Sequence, residues 1–434
     1  MPLKQLITAS WCHIQGQLFP WLQAEAGPLT EQHKRLITVL EMARVEGFVP
    51  MRDDGPGRPL DDRHALARAF IAKAVLNLPT TAALIERLAV DATLRRLCGW
   101  ERVGQVPSES TFSRAFAGFT DANLAGRAHA ALIERTLKDH LAGHISRDAT
   151  AIEAREKPMK REKPPVKAAK RKRGRPQKGC VVPPKALRRI ERQTGQTLPE
   201  MMADLPTACD IGTKRNAKGY TTSWTGYKLH IDTADGDIPV TCILTSASVH
   251  DSQVAIPLAT MTSARVLYLY DLMDSAYDVP EIRERSRELG HVPIIDHKTR
   301  RGEKPAIEAE ALARRKAGFR PAEDVRYNQR SSAERVNGNL KDNCGGSFVR
   351  VRGHAKVLCH LMFGILVVTV EQLMRLVTGR CQACPRARRG RPTGKVRPDR
   401  RAGSPRRALH QQCGLTRGPA SRRPPNCGSF ARGS

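Results

Sequence analysis

At 434 residues the chain is long enough for two or three domains with a hydrophobic core, but aromatics make up only 5% of it, so parts of it carry no core. A formal charge of +30 points to a polyanionic partner, because neutralising phosphates releases counterions whatever the nucleotide sequence. Eleven cysteines without regular spacing exclude a disulfide framework, and no signal pattern or uninterrupted apolar run near the roughly 20 residues of a membrane span is present, so a soluble protein of a reducing cytoplasm is expected.

Residues 1–143 read as helical. Thr30 caps a helix with Leu36, Ile37, Leu40 and Ala43 on one face, and Asp61 starts another with Leu66, Phe70, Ile71 and Val75 inward. A third, from Thr80 or Thr81, carries Leu84, Leu88 and Leu94; Gly99 and Gly104 then break the pattern before Pro107 and Ser108 open a helix bearing Phe112, Phe116 and Phe119. Short helices around a glycine-containing turn are compatible with a helix-turn-helix, with Arg114 and Arg127 as candidate phosphate contacts.

From His144 the character changes to HISRDATAIEA, a short strand ending near Asp148. Residues 155–178 then hold 12 Lys or Arg against Glu156 and Glu162. Within them RGRP, at 173–176, is the core of an AT-hook, in which Arg173 and Arg175 lie in the narrow minor groove of A·T-rich DNA and the glycine lets the backbone sit deep. A second RGRP stands at 389–392. The bland alternative is a solvated basic linker that binds any phosphate backbone.

Residues 227–245 read as a hairpin with its turn at 234–237, followed by a helix capped by His250, Asp251 or Ser252. Lys228 and His230 lie on the hairpin. RVLYLY, at 265–270, is expected to be a buried strand delivering Asp271 and Asp274, and a helix over 279–289 leads to a second buried strand ending at Asp296. Strands alternating with helices after a hairpin give an α/β core with a mixed sheet. Beyond Gly345 and Gly346, FVRVRG reads as a strand and residues 356–377 as an apolar helix packed on the sheet. Residues 380–434 hold 15 Lys or Arg against Asp399 and show no periodicity; such a tail cannot bury enough surface to order itself. Its Cys381 and Cys384 have no well-spaced His to complete a zinc site.

The stretch YNQRSSAERVNGNLK, at 327–341, carries the densest chemistry. At about 100° per residue, Tyr327, Arg330, Glu334 and Lys341 fall within an arc of roughly 60° on one helix. Alternatively, Ser331 to Glu334 form a capping box that starts the helix at 332 and leaves Tyr327 and Arg330 on the approach. Carboxylates hold hard metal ions and cations hold phosphate, the pair of tools needed to cut or join nucleic acid strands.

This spacing of Tyr, Arg, Glu and Lys resembles the signature of one branch of bacterial insertion-sequence DDE transposases, and the resemblance covers most of residues 80–378. It implies an RNase H-like catalytic core over 144–154 and 205–378, a helical N-terminal DNA-binding domain over 1–143, a basic insertion over 155–204 and a disordered tail over 379–434. Asp148, in DAT, matches the family's first aspartate; Asp274, in DSAYD, matches the second, with Asp271 as a rival and Asp278 as a weaker one; Glu334 is the third acid. The three would be catalytic and would hold Mg²⁺ or Mn²⁺, two ions in all. Tyr327, Arg330 and Lys341 would hold DNA, and Asp251, in VHDS, is either a further ligand or a helix cap. The implied partners are double-stranded DNA, as terminal inverted repeats and target, and a second copy of the chain, in a bacterial cytoplasm at the nucleoid. Two other readings stand beside it: a non-catalytic DNA-binding protein derived from a transposase, and a related nuclease that cuts without strand transfer. The abrupt tail is expected to reflect translation past the element's usual end or in a shifted frame.

Overall fold

The computed structural model describes residues 3–50, 62–160, 186–215, 219–297 and 302–378. The chain divides into two units, 1–382 and 383–434, and every described residue belongs to the first. The helical block comprises α1 (Leu3–His13), α2 (Phe19–Ala26), α3 (Glu31–Ala43), α4 (Arg63–Val75), α5 (Thr81–Val90), α6 (Ala92–Cys98), α7 (Glu109–Asp121) and α8 (Leu124–Leu137). Thr30 caps α3 through its hydroxyl and Asp62, next to the expected Asp61, caps α4. The helix expected to run from Thr80 to Leu94 is two, because Asp91 ends α5 and its carboxylate accepts from the Leu94 amide at 2.9 Å to start α6. His33 fixes that break by reaching the same carboxylate at 3.0 Å, a contact 58 residues away in sequence that no local pattern reveals.

Next come β1 (Leu141–Glu153), α9 (Arg189–Gln193), α10 (Leu198–Asp204), β2 (Asp210–Arg215), β3 (Thr221–Ala234), β4 (Ile238–Ser246), α11 (Ser252–Ser263), β5 (Leu267–Met273), α12 (Pro280–Glu288), β6 (Val292–Ile295), α13 (Lys304–Lys316), α14 (Ala322–Tyr327), α15 (Ser331–Asn343) and α16 (His354–Thr378). The sheet order is β4-β3-β1-β5-β6, with β2 continuing the β4 edge along the first half of β3. β3 is antiparallel to β1, while β1, β5 and β6 are parallel. A hairpin that feeds parallel strands through crossover helices is an RNase H-like core. The expected α/β class with a mixed sheet is therefore the observed one.

Three expectations need correction. β1 does not end near Asp148, because its ladder with β3 continues to Glu153, opposite Gly226. Neither β5 nor β6 is buried throughout: Leu267 and Leu269 remain 59% and 45% exposed on either side of buried Tyr268, and Val292 is 52% exposed. FVRVRG forms no strand; Val349 is buried while Arg350 and Arg352 face solvent, so the alternation records burial and not pairing.

α16 has the length and composition of a membrane-crossing helix, although its uninterrupted apolar run is short, and most of it is buried inside the protein. It contacts α1, α3, α4, α7 and α8 on one side and β4 and α15 on the other. One hydrophobic cluster consequently extends from Leu3 through α16 to the sheet. At its centre Phe363 stacks on Phe70 with ring centroids 5.7 Å apart and lies 6.4 Å from Phe116.

Truncating a buried phenylalanine costs about 3–5 kcal/mol through lost transfer energy and the cavity left behind. Phe363→Ala should therefore destabilise the helical block and the sheet by that amount together. In a urea titration followed by hydrogen exchange, amides of α4 and β1 should lose protection at one shared midpoint, and two separate midpoints would show the parts to be independent.

Candidate active site

The site forms where β1 has a neighbour on one side only. The parallel ladder with β5 stops at Ser146, opposite Leu272, so the following stretch of β1 keeps β3 but has an open edge towards β5. Side chains alternate along a strand, and Ser146 and Asp148 share the face covered by α15. The Ser146 hydroxyl donates to the Arg330 carbonyl at 2.5 Å, and the Asn337 amide donates to Asp148 Oδ2 at 3.0 Å. Burial pushes the Asp148 carboxyl up to about 6, helped by the negative charges of Asp274 and Glu334 and opposed by hydrogen bonds from the Ala149 amide and Asn337.

Asp274 follows β5 directly and accepts from the Ala276 amide at 2.9 Å. Its carboxyl is also raised, first by burial and then by Asp251, against the pull of Arg330 and Lys214. Glu334 lies exposed on α15 and accepts from Arg330 at 2.8 Å, one helical turn away. Asp148, Asp274 and Glu334 are thus drawn into one electrostatic neighbourhood from a mid-strand, a strand exit and a helix.

The backbone through 322–343 is helical, as α14, a 3₁₀ turn at Asn328–Arg330 and α15. The capping box does not form: Ser331 donates to the Asn328 carbonyl and Glu334 turns to Arg330. Arg330 sits over the Tyr327 ring, 5.7 Å from its centroid, and burial raises the Tyr327 hydroxyl pKa. Lys341 is half-buried, and its ammonium is lowered by burial and by Lys214 while Glu153, Asp342 and Asp148 draw it back.

The rival aspartates are engaged elsewhere. Asp271 is fully buried on the opposite face of the sheet, where Arg147 binds Asp232 with two contacts of 2.8 Å and reaches Asp271 at 3.4 Å. Asp278 binds Arg283 at 2.8 Å. Asp251 occupies the first position before α11 but its side chain makes no capping bond; it binds Lys228 at 2.9 Å instead. His230 is buried against Thr245. Arg114 is exposed on α7, and Arg127 lies 5.7 Å from the Phe48 ring centroid. Arg173, Arg175 and the second RGRP lie outside the described residues.

Two residues at the site were not singled out from the sequence. Asn337 stands three residues after Glu334, a spacing that puts both on one helix face. Lys214 sits on β2, DIGTKR, a strand without a sequence signal of its own because its one buried residue is Gly212. The donors around Asp148 are carboxylate oxygens, which suit a hard cation. Among the described residues, no three His, Cys, Asp or Glu side chains stand close enough as placed to share one ion. Glu334 would have to exchange its Arg330 contact for a metal.

An RNase H-like sheet that brings Asp148 under the charges of Asp274 and Glu334, with Arg330, Lys214 and Lys341 nearby, is compatible with a protein that acts on nucleic acid strands. Comparison with known families agrees: residues 191–370 match the model described as a transposase DDE domain, and residues 28–117 match a transposase domain (DUF772). The chain belongs to the DDE transposase family. Asp274 and Glu334 lie inside the DDE match, whereas Asp148 falls between the two matched segments. No curated protein and no solved structure matches the chain.

A carboxyl raised from its ordinary 3.8 to about 6 adds stability below its unfolded value and loses it as pH rises through the folded one. Without divalent metal, Asp148→Asn should accordingly be more stable than the parent by about 2–3 kcal/mol near neutral pH. The difference should vanish near pH 4, and thermal melts across that range give the measurement.

Proposed function

We propose that this transposase is catalytically competent and belongs to the branch with the Tyr-Arg-Glu-Lys signature. It binds the terminal inverted repeats of its element as double-stranded DNA, cuts at their ends and joins the freed 3′-hydroxyl to target DNA. The observation that carries this reading is the buried Asp148 carboxyl at the open edge of β1, which feels the charges of both Asp274 and Glu334, with Arg330, Lys214 and Lys341 around them.

Asp148, Asp274 and Glu334 are the residues that would hold Mg²⁺ or Mn²⁺, two ions in all. Bound there, divalent ions supply an activated attacking oxygen and a stabilised leaving one. The chain's own residues prepare that site. Asn337 holds Asp148 through Oδ2, and the Ala149 amide holds the same carboxylate. Arg330 and Glu334 form a partly exposed ion pair, which contributes little to stability, so Arg330 is free to exchange Glu334 for a phosphate that its planar fork can grip. Tyr327 supports Arg330 from below, and Lys341 adds a point charge on the same helix.

In this reading residues 1–143 engage the element's ends, the basic insertion at 155–204 and tail at 379–434 add affinity for phosphate backbone, and the protein works as a homodimer on DNA at the bacterial nucleoid. The alternative is a non-catalytic DNA-binding protein.

A labelled inverted-repeat end incubated with Mg²⁺ distinguishes the two. Wild type should cleave and join it, while Asp148→Ala, Asp274→Ala and Glu334→Gln should each lose on the order of 10³-fold in rate, equivalent to about 4 kcal/mol in the barrier, with DNA binding retained. Equal activity of wild type and Glu334→Gln would remove the role of that residue. Binding without any metal-dependent cleavage would favour the binding protein.

A further inference from the structure

At the far end of β1 from the acid cluster, Arg155, Arg350, Arg352 and Lys356 surround a cleft of about 360 Å³, with Ser113 and Phe116 of α7 as its wall. All four cations are exposed, and none has a carboxylate partner among the described residues. The adjacent acid, Glu156, is turned inward: it accepts from the Tyr227 hydroxyl at 3.1 Å and from the Gly353 amide at 2.7 Å. That second bond anchors the loop carrying Arg350 and Arg352, and buried Val349 anchors it from the other end. The cleft is therefore a held arrangement of positive charge.

Its position relative to the acid cluster has a scale. β1 runs five residues past Asp148 to Glu153, about 17 Å at ~3.3 Å per strand residue, and Arg155 lies two residues further on, a separation on the order of 20 Å. Phosphates along one DNA strand recur every ~3.4 Å, so the interval corresponds to roughly six base pairs. Lys214 acts on Asp274 and on Lys341, and Lys341 feels Glu153, two residues before Arg155, as well as Asp148. Positive charge thus stands both at the acid cluster and at the cleft.

We propose that this cleft seats the phosphate backbone of the element's end roughly six base pairs inside the bond held at the acid cluster, so that Arg155, Arg350, Arg352 and Lys356 set where the duplex lies on the core. The proposal rests on the transposase reading above for the identity of the DNA. The cleft also touches α7 and the start of α16, so DNA held here bridges the helical block and the core.

The test uses the full chain and a 40-bp duplex ending in the terminal repeat read from the DNA flanking the gene. Arg350→Gln/Arg352→Gln should lower the slope of log K against log salt by about 2, close to 0.9 for each phosphate that is no longer neutralised. Hydroxyl-radical protection should disappear about six base pairs from the cleaved end and persist at the terminus. Arg350→Lys/Arg352→Lys should retain both, and circular-dichroism melts should match wild type. An unchanged slope and protection pattern in the glutamine variant, or protection weakened evenly along the duplex, would overturn the proposal. Wild-type protection at the expected place without cleavage in Mg²⁺ would leave the cleft standing and overturn the catalytic reading.

Discussion

The arrangement depends on the unequal pairing of β1. On one side its ladder with β3 runs unbroken from Ile145 to Glu153; on the other its ladder with β5 ends at Ser146. A strand held along one edge stays straight and ordered, and where the other edge is vacant a helix can approach the backbone. α15 uses that space, bringing Arg330 over Ser146 and Asn337 over Asp148. Had β5 continued for two more residues, Asp274 would lie within a ladder, without the turn that now carries it.

Strand alternation separates two kinds of charge. Arg147 and Asp148 are neighbours in sequence and point to opposite faces. Under one face Arg147, Asp232 and Asp271 form a fully buried cluster, closed by a hydrogen bond from Thr262 to Asp232 at 2.7 Å. Burial works against the Arg147 charge, but the two aspartates more than offset it. Breaking such a cluster by removing one partner costs several kcal/mol, because an uncompensated charge remains in the core. On the other face the carboxyls of Asp148 and Asp274 are raised by burial, with Asp274 and Glu334 adding to the rise of Asp148 and Asp251 to that of Asp274. The first arrangement is spent on structure, while the second leaves charge available for a ligand.

The helical block reaches the same place through packing. α16 joins it to the sheet through Phe363, Phe70 and Phe116. Asn77, in the left-handed region just after α4, donates to the Asp342 carbonyl at 2.8 Å and accepts from the Gly345 amide at 2.9 Å. The end of the helix carrying Glu334 and Lys341 is therefore tied to the block that precedes the sheet. The catalytic role proposed for Glu334 would require this kind of support, since small displacements of a reacting group cost large factors in rate.

What could be read from the chain alone was local: the Thr30 cap, the hairpin turn near Asp235, the helical spacing of Phe112, Phe116 and Phe119, and the signature from Tyr327 to Lys341. Each rests on periodicity or on turn chemistry within a few residues, and the family resemblance added the grouping of three acids. Tertiary structure decided the rest. Whether Asp271 or Asp274 faces Asp148 depends on the register between β1 and β5. Whether Glu334 caps its helix or meets Arg330 depends on the 3₁₀ turn that Ser146 anchors. Asn337, Lys214 and the four cations around Arg155 gain meaning only from neighbours far away in sequence. Spacing along a chain determines which residues can share a face, but which faces meet is settled by strand register and by the packing of α15 and α16.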